Sequence, residues 1–333
     1  MRGTKDKILV LVMSCNLPEY KQKEEDIRNT WAKGILEKKY HNIDLWFFTS
    51  GEHDMIDVSK HKIFTKCSDL RDRTFQKVMK TINIVDANGF EYDWILRVNT
   101  TTYINIELID KIIQHAPNPE YAYSGTLFCQ PWILDKLPFL SGEYVILSKK
   151  NVGLLKAFYQ VNKEYFDKLE QDARTKTQWI CDDGWMTTCF VKTYKAQKDS
   201  WEYTKRIHST GLLFCNYGTI PDDIRERIPV IPGICFKTVH EIPGREKFLR
   251  PEEQYKLDHE QIYKIHEIVE AGKVPQEIID EWYKWYILNV YDKWCYSNEH
   301  IIESQKVKRD FSKRITKRAM VKWYNDQKKL NKK

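Results

Sequence analysis

The residues best placed to do chemistry in this chain are four small polar side chains in a row. Asn99, Thr100, Thr101 and Thr102 follow the apolar run Trp94, Ile95, Leu96 and Val98 within YDWILRVNTTTYIN. The run reads as a buried strand bounded by the turn-prone Asn99. In an open α/β sheet, ligands sit just beyond the carboxyl ends of strands, which puts these side chains where a ligand would be. Their chemistry is neutral: amides and hydroxyls exchange hydrogen bonds, whereas hard divalent cations prefer ionised oxygens. Charge must come from elsewhere, and the adjacent acids Asp182 and Asp183, just before Gly184 and Trp185, can supply it. A carboxylate beside a reacting hydroxyl works as a general base, a role worth about 10² to 10⁴ in rate. In a strand two neighbours face opposite ways, so only one of the pair can serve; either can instead cap a helix starting at Gly184.

These residues need a scaffold, and the chain supplies one by alternating strand and helix patterns. Strand patterns at 7–14, 43–49 and 61–64 and helix patterns at 23–33 and 70–86 predict half of a Rossmann-like sheet within residues 1–89. Beyond it come the strand ending at Asn99, a helix at 106–115, a strand over 140–148, a helix at 151–168 and the CDDGW segment. After the Pro-rich IPDDIRERIPVIPG, long helical patterns predict a helical appendage over 251–333. Neither G-x-G-x-x-G nor a Walker loop occurs, which removes the sequence support for NAD binding and P-loop phosphoryl transfer.

Five segments carry a family resemblance in chain order. They are Ile27-Arg28-Asn29-Thr30-Trp31; Asp69-Leu70 with Asp72, Gln76 and Lys80-Thr81; Arg97-Val98 with Tyr103 and Asn105; Leu137 to Ser148; and Cys181-Asp182-Asp183-Gly184-Trp185. Together they resemble the Fringe and β-1,3-galactosyltransferase family, glycosyltransferase family 31. The resemblance implies an α/β fold of the GT-A type, a Rossmann-like mixed sheet flanked by helices. Residues 1–240 would form the GT-A-like domain, with 1–89 its nucleotide-binding half and 90–240 its acceptor half. It further implies an inverting sugar transfer from a nucleoside-diphosphate sugar, UDP-linked, to a hydroxyl, with Asp183 or Asp182 as general base. Arg28, Thr30, Lys80, Arg97, Asn99, Thr100 and Thr101 would then face the donor, and Ser141, Gly142, Trp185 and His208 the acceptor. The family holds Mn or Mg with three consecutive acids, and here Asn99, Thr100 and Thr101 replace all three. A metal is therefore not expected; Thr101 and His208 are the ligand candidates left, and Arg28, Lys80, Arg97 or His208 would take the cation's place.

Composition and charge agree with a globular enzyme. The 333 residues are 42% hydrophobic and 13% aromatic, enough for a large α/β domain with an appendage. No internal repeat or low-complexity block is visible, and no apolar run approaches the roughly 20 residues of a spanning helix. No secretory leader is read, so a cytoplasmic setting is expected. The eight cysteines show no C-x-x-C or zinc-like spacing, which favours reduced, buried thiols.

Positive charge gathers at one end. Residues 301–333 hold twelve Lys and Arg against three acids, a surplus of nine, while the whole chain carries +7. Val307, Phe311, Ile315, Met320 and Trp323 recur at roughly helical spacing between those basic groups. Such a tail suits a polyanion. The expected acceptor is accordingly a hydroxymethylated base in DNA. The alternatives are a transferase at an anionic membrane surface that extends a capsular, lipopolysaccharide or viral glycan, or an inactive module that binds a sugar nucleotide or glycan.

Overall fold

The computed structural model describes residues 6–70, 73–106, 139–171 and 182–186, the strands at 123–128 and 235–237, and isolated positions at 109, 113, 189 and from 256 to 270. Seven strands form one mixed sheet in the order β3-β4-β2-β1-β5-β8-β7. Its centre is parallel: β1 (Ile8–Met13) lies between β2 (Ile43–Ser50) and β5 (Trp94–Asn99), and β4 (Lys62–Thr65) runs alongside β2. The flanks are antiparallel, with β3 (Met55–Asp57) on β4, and β8 (Phe139–Ser148) between β5 and β7 (Tyr123–Phe128). The run ILVLVM is apolar throughout because β1 is central and covered on both faces.

Helices connect and cover the strands. Helix α1 (Pro18–Asn29) begins five residues before the helix expected at 23, because Pro18 sits in the first turn, where its missing N–H costs nothing. Its apolar signal is thin: Lys23, Glu24 and Asp26 are buried beside Ile27. The Thr30 hydroxyl donates to the Asp26 carbonyl at 2.6 Å at its end, and the short α2 (Lys33–Leu36) follows. Helix α3 (Thr74–Ala87) starts four residues later than the helix expected at 70, since Asp69 serves the strand ends rather than a helical turn. The single helix expected at 151–168 is two, α4 (Lys149–Val161) and α5 (Lys163–Gln171). Ser148 caps α4 by accepting from the Asn151 N–H, and Asn162 closes it, its amide donating to the Phe158 carbonyl at 2.8 Å.

Between the sheet and α3 and α4 lies an apolar core of Leu9, Leu11, Phe48, Ile63, Phe75, Met79, Ile95, Val145 and Leu155. Four strands were not anticipated: β3 and β7 in the main sheet, and β6 (Thr102–Ile104) and β9 (Cys235–Lys237), which pair antiparallel as a separate ribbon. Described positions from 256 to 270 are helical, as the pattern from 251 predicts, and they pack on α1. Among the described residues no helix is long and apolar enough to cross a membrane, and Cys15, Cys67 and Cys189 are free thiols. The basic tail at 301–333 lies outside the described residues.

Candidate active site

The strand order locates the site before any side chain is considered. The chain moves outward from β1 to β2 and β4, then returns to place β5 on the other side of β1. The carboxyl ends of β1 and β5 therefore form the switch point, the crevice where open α/β sheets bind ligands. Met13 pairs with Asn99 there. Asn99 is half-buried, and Thr100, Thr101 and Thr102 are buried behind it. The antiparallel β8 is in register with β5 up to Val98 and Tyr144, so Ser141 and Gly142 lie on the length of β8 that runs past this edge. On its other side β8 bulges: Gly125 pairs with Val145 but Thr126 with Ser141, leaving Gly142, Glu143 and Tyr144 unopposed. Bulges of this kind re-aim a strand and gather at sites, and a glycine there agrees with a close backbone approach.

The two acids take different roles. The segment 182–186 is helical, not extended, so Asp182 and Asp183 diverge by a helical step rather than pointing to opposite faces of a sheet. Asp182 is buried, and its carboxylate lies 2.8 Å from Nη2 of Arg97, itself only 1% exposed. Asp182 Oδ2 makes no aligned hydrogen bond, so this is a contact of charge with charge. The Asp182 N–H donates to the Thr74 hydroxyl at 3.0 Å, fastening the segment to the first turn of α3. Asp183 is half-buried, and its Oδ1 accepts from the Gly184 N–H at 2.7 Å. Arg97, expected to face the donor, and Asp182, one of the two candidate bases, are paired with each other.

The remaining expected residues scatter. Arg28 and Thr30 sit on and just after the last turn of α1, away from the switch point: Arg28 donates to the Lys60 carbonyl ahead of β4 and stacks 4.4 Å over the Phe47 ring. Helix direction sets that position, because a helix leaving the carboxyl end of β1 finishes at the opposite edge. Burial lowers the Arg28 pKa, against the opposing pull of Glu24 and Glu25. Lys80 donates to the Lys66 carbonyl at 2.5 Å, just past β4 and toward the sheet's outer flank. Trp185 packs against Phe166 at 5.2 Å and Tyr165 at 5.7 Å, an aromatic cluster completed by Phe75. Its indole N–H has no partner among the described residues. His208 lies outside the described residues.

The sequence reading missed the group that organises the β1 side. Asp69 accepts from the backbone N–H of Asn16 at 3.0 Å and of Ser50 at 3.2 Å, from the Ser50 hydroxyl at 2.5 Å, and from Lys77 at 2.8 Å. Burial alone would raise its pKa, but the Lys77 ammonium and these donors bring it down to about 2. Lys77 also donates to the Ser14 carbonyl at 2.7 Å, and the Ser14 hydroxyl donates to Glu24, which pairs with Lys62 at 2.7 Å. Asp69 was visible as part of a family-like motif. Nothing local showed that it would tie the ends of β1 and β2 to α3.

No protein-family model and no curated protein matches the sequence. Solved structures that overlay the chain are glycosyltransferases. One, involved in glycosylation of the major capsid of PBCV-1, is 12% identical, with 50% of this chain covering 75% of that one at a TM-score of 0.32. Another is GlyE of Streptococcus pneumoniae TIGR4 in its apo form, 10% identical, with 84% of this chain spanning 64% of that enzyme at a TM-score of 0.36. The mannosyltransferase PcManGT from Pyrobaculum calidifontis, solved in complex with GDP-Man and Mn2+, is 8% identical, covering 90% of this chain and 86% of its own at a TM-score of 0.31. Overlays this loose carry no inference about substrate.

Among the described residues no group of three or more His, Cys, Asp or Glu converges to hold a metal. An amide and two buried hydroxyls offer neutral oxygens to an ion that prefers ionised ones, so Asn99, Thr100 and Thr101 do not fit the divalent cation that the family resemblance implies.

Proposed function

We propose that the chain is an inverting glycosyltransferase that moves a sugar from a nucleoside-diphosphate donor, UDP-linked, to a hydroxyl. The observation that carries this reading is the junction at the switch point. The buried Arg97–Asp182 pair ties the acidic segment to β5 two residues before Asn99, and the half-buried Asp183 is the next residue of that segment. The ordered motif resemblance supports the sugar chemistry.

In this reading Asp183 accepts the proton of the acceptor hydroxyl as its oxygen attacks the anomeric carbon. The bond from that carbon to the diphosphate oxygen breaks, the diphosphate leaves with the electron pair, and configuration inverts. The Asn99 amide and the hydroxyls beside it give the leaving diphosphate its hydrogen bonds in this reading, a form of stabilisation that preorganised donors supply well. No step is routed through a metal. Asp182 holds the segment in place. The basic tail directs the enzyme to an anionic acceptor, for which a hydroxymethylated base in DNA is the first substrate to try.

The test is a screen of UDP-sugars with EDTA present, against hydroxymethylated DNA and oligosaccharide acceptors, read by mass spectrometry. Sugar added to DNA, with affinity falling steeply as salt rises, is the expected result. Addition only to oligosaccharide would replace DNA by a glycan acceptor. Donor binding without turnover on any acceptor would make the chain a binding module and end the transferase reading.

A further inference from the structure

The ribbon that follows the Asn99–Thr102 turn is too small to hold itself. Strand β6 starts at Thr102, at the end of the turn, and among the described strands it pairs with β9, outside the seven-stranded sheet. An isolated pair of short strands is marginal in water and needs packing from elsewhere. Tyr103, in its middle, is 2% exposed, and a buried phenol requires a hydrogen-bond partner. The C-terminal helix provides one: the Tyr103 hydroxyl lies 3.1 Å from Nδ1 of His266, with the two rings 6.1 Å apart.

That helix is itself fixed to α1. Lys23 of α1 pairs with Asp258 at 2.9 Å, with both side chains nearly buried, and Asp26 meets Nδ1 of His259 at 2.9 Å. Ile262, one turn further, is 3% exposed. Buried ion pairs add little net stability but are costly to mismatch, so they serve to fix register. Here they fix the position along α1 at which His266 arrives. Burial lowers the His266 pKa, with Lys33 adding to the lowering and Glu270 and Glu267 opposing it, so the neutral ring that can share a hydrogen bond with a phenol is favoured.

We infer that His266 is a positioning residue for the site: acting through Tyr103, it holds β6 and with it the turn that carries Asn99, Thr100 and Thr101. The C-terminal helix is then part of the site's frame and not a separable appendage. The link to catalysis rests on the transferase reading above, whereas the link to the turn does not. Displacements near an ångström at a reacting centre cost up to about a hundredfold in rate, so a loosened turn has a kinetic signature.

The experiment compares full-length wild type with Tyr103→Phe, His266→Ala and His266→Gln. Backbone amide exchange is followed at 99–104, and turnover is measured with the donor found in the screen. Tyr103→Phe and His266→Ala should each speed exchange at 99–104 about tenfold, as expected for one lost hydrogen bond. Each should lower kcat by about tenfold or more at unchanged donor KM. His266→Gln, whose amide can still bond the phenol, should restore both. Unchanged exchange and kcat in the first two variants, with only the unfolding midpoint lowered, would overturn the inference by making the contact a plain stability element. Faster exchange in a chain that transfers no sugar would sustain the positioning of the turn and remove the transferase reading alone.

Discussion

The two flanks of the switch point handle charge in opposite ways. On the β1–β2–β4 flank, buried Glu24, half-buried Asp69 and two buried lysines form a chain through Ser14, with Glu24 on Lys62 and Asp69 on Lys77. Hydrogen bonds from Asn16 and Ser50 meet the remaining lone pairs of Asp69. On the β5 flank the strand ends in neutral groups, and Arg97, buried in the strand, meets Asp182 from a distant helical segment. The first flank has its charges matched among neighbouring strand ends and helices. The second brings an acidic segment to β5 through the long-range Arg97–Asp182 pair, with the Asp182 N–H on Thr74.

That contrast predicts how each flank breaks. Arg97→Leu leaves Asp182 buried without its counter-charge, and the loss should be about 3–5 kcal/mol in denaturant unfolding. The double variant Arg97→Leu with Asp182→Leu should recover much of that stability while losing activity, because the pair positions the segment more than it stabilises the fold. A double variant as unstable as the single one would show that the pair matters for stability in its own right.

The β1 flank should respond to acid. Asp69 has its pKa depressed from 3.8 to about 2, so its contribution is fully present above pH 4 and is lost as pH falls through about 2. The shift corresponds to about 2 kcal/mol. Asp69→Asn should be less stable than wild type by about that amount near neutrality, and the gap should close as pH drops from 4 toward 2. A gap that stays constant with pH would mean that the carboxylate's charge is not what holds the strand ends together. At the small end of the scale, Lys168→Ala removes an exposed i,i+4 pair with Glu164 on α5 and should leave the thermal midpoint within error.

Strands were legible wherever apolar runs were long. The expected strands at 7–14, 43–49, 61–64 and 140–148 are β1, β2, β4 and β8 within a few residues, because central strands must be apolar on both faces. Helix ends were not legible. Helix α1 covers the sheet with buried Lys23, Glu24 and Asp26, whose burial depends on Asp258, His259 and Lys62, residues that no local window contains. The position of Asn99 at the switch point followed from its place after a buried strand, and the strand order agrees. The burial of Asp182 against Arg97 could not be read, since it hangs on a partner distant in sequence and on a helical rather than extended backbone at 182–186. Asp69 and His266 were missed for the same reason: each acts through a partner distant in sequence.

In the proposed mechanism Asp183 does the chemistry and Asp182 holds it in place. Its most direct test is steady-state transfer by Asp183→Asn beside wild type, with unfolding measured on the same samples. The account predicts a fall in kcat of about 10² or more with unchanged stability, the amide keeping the carboxylate's shape but not its basicity. Wild-type turnover in Asp183→Asn would contradict it and move the base elsewhere.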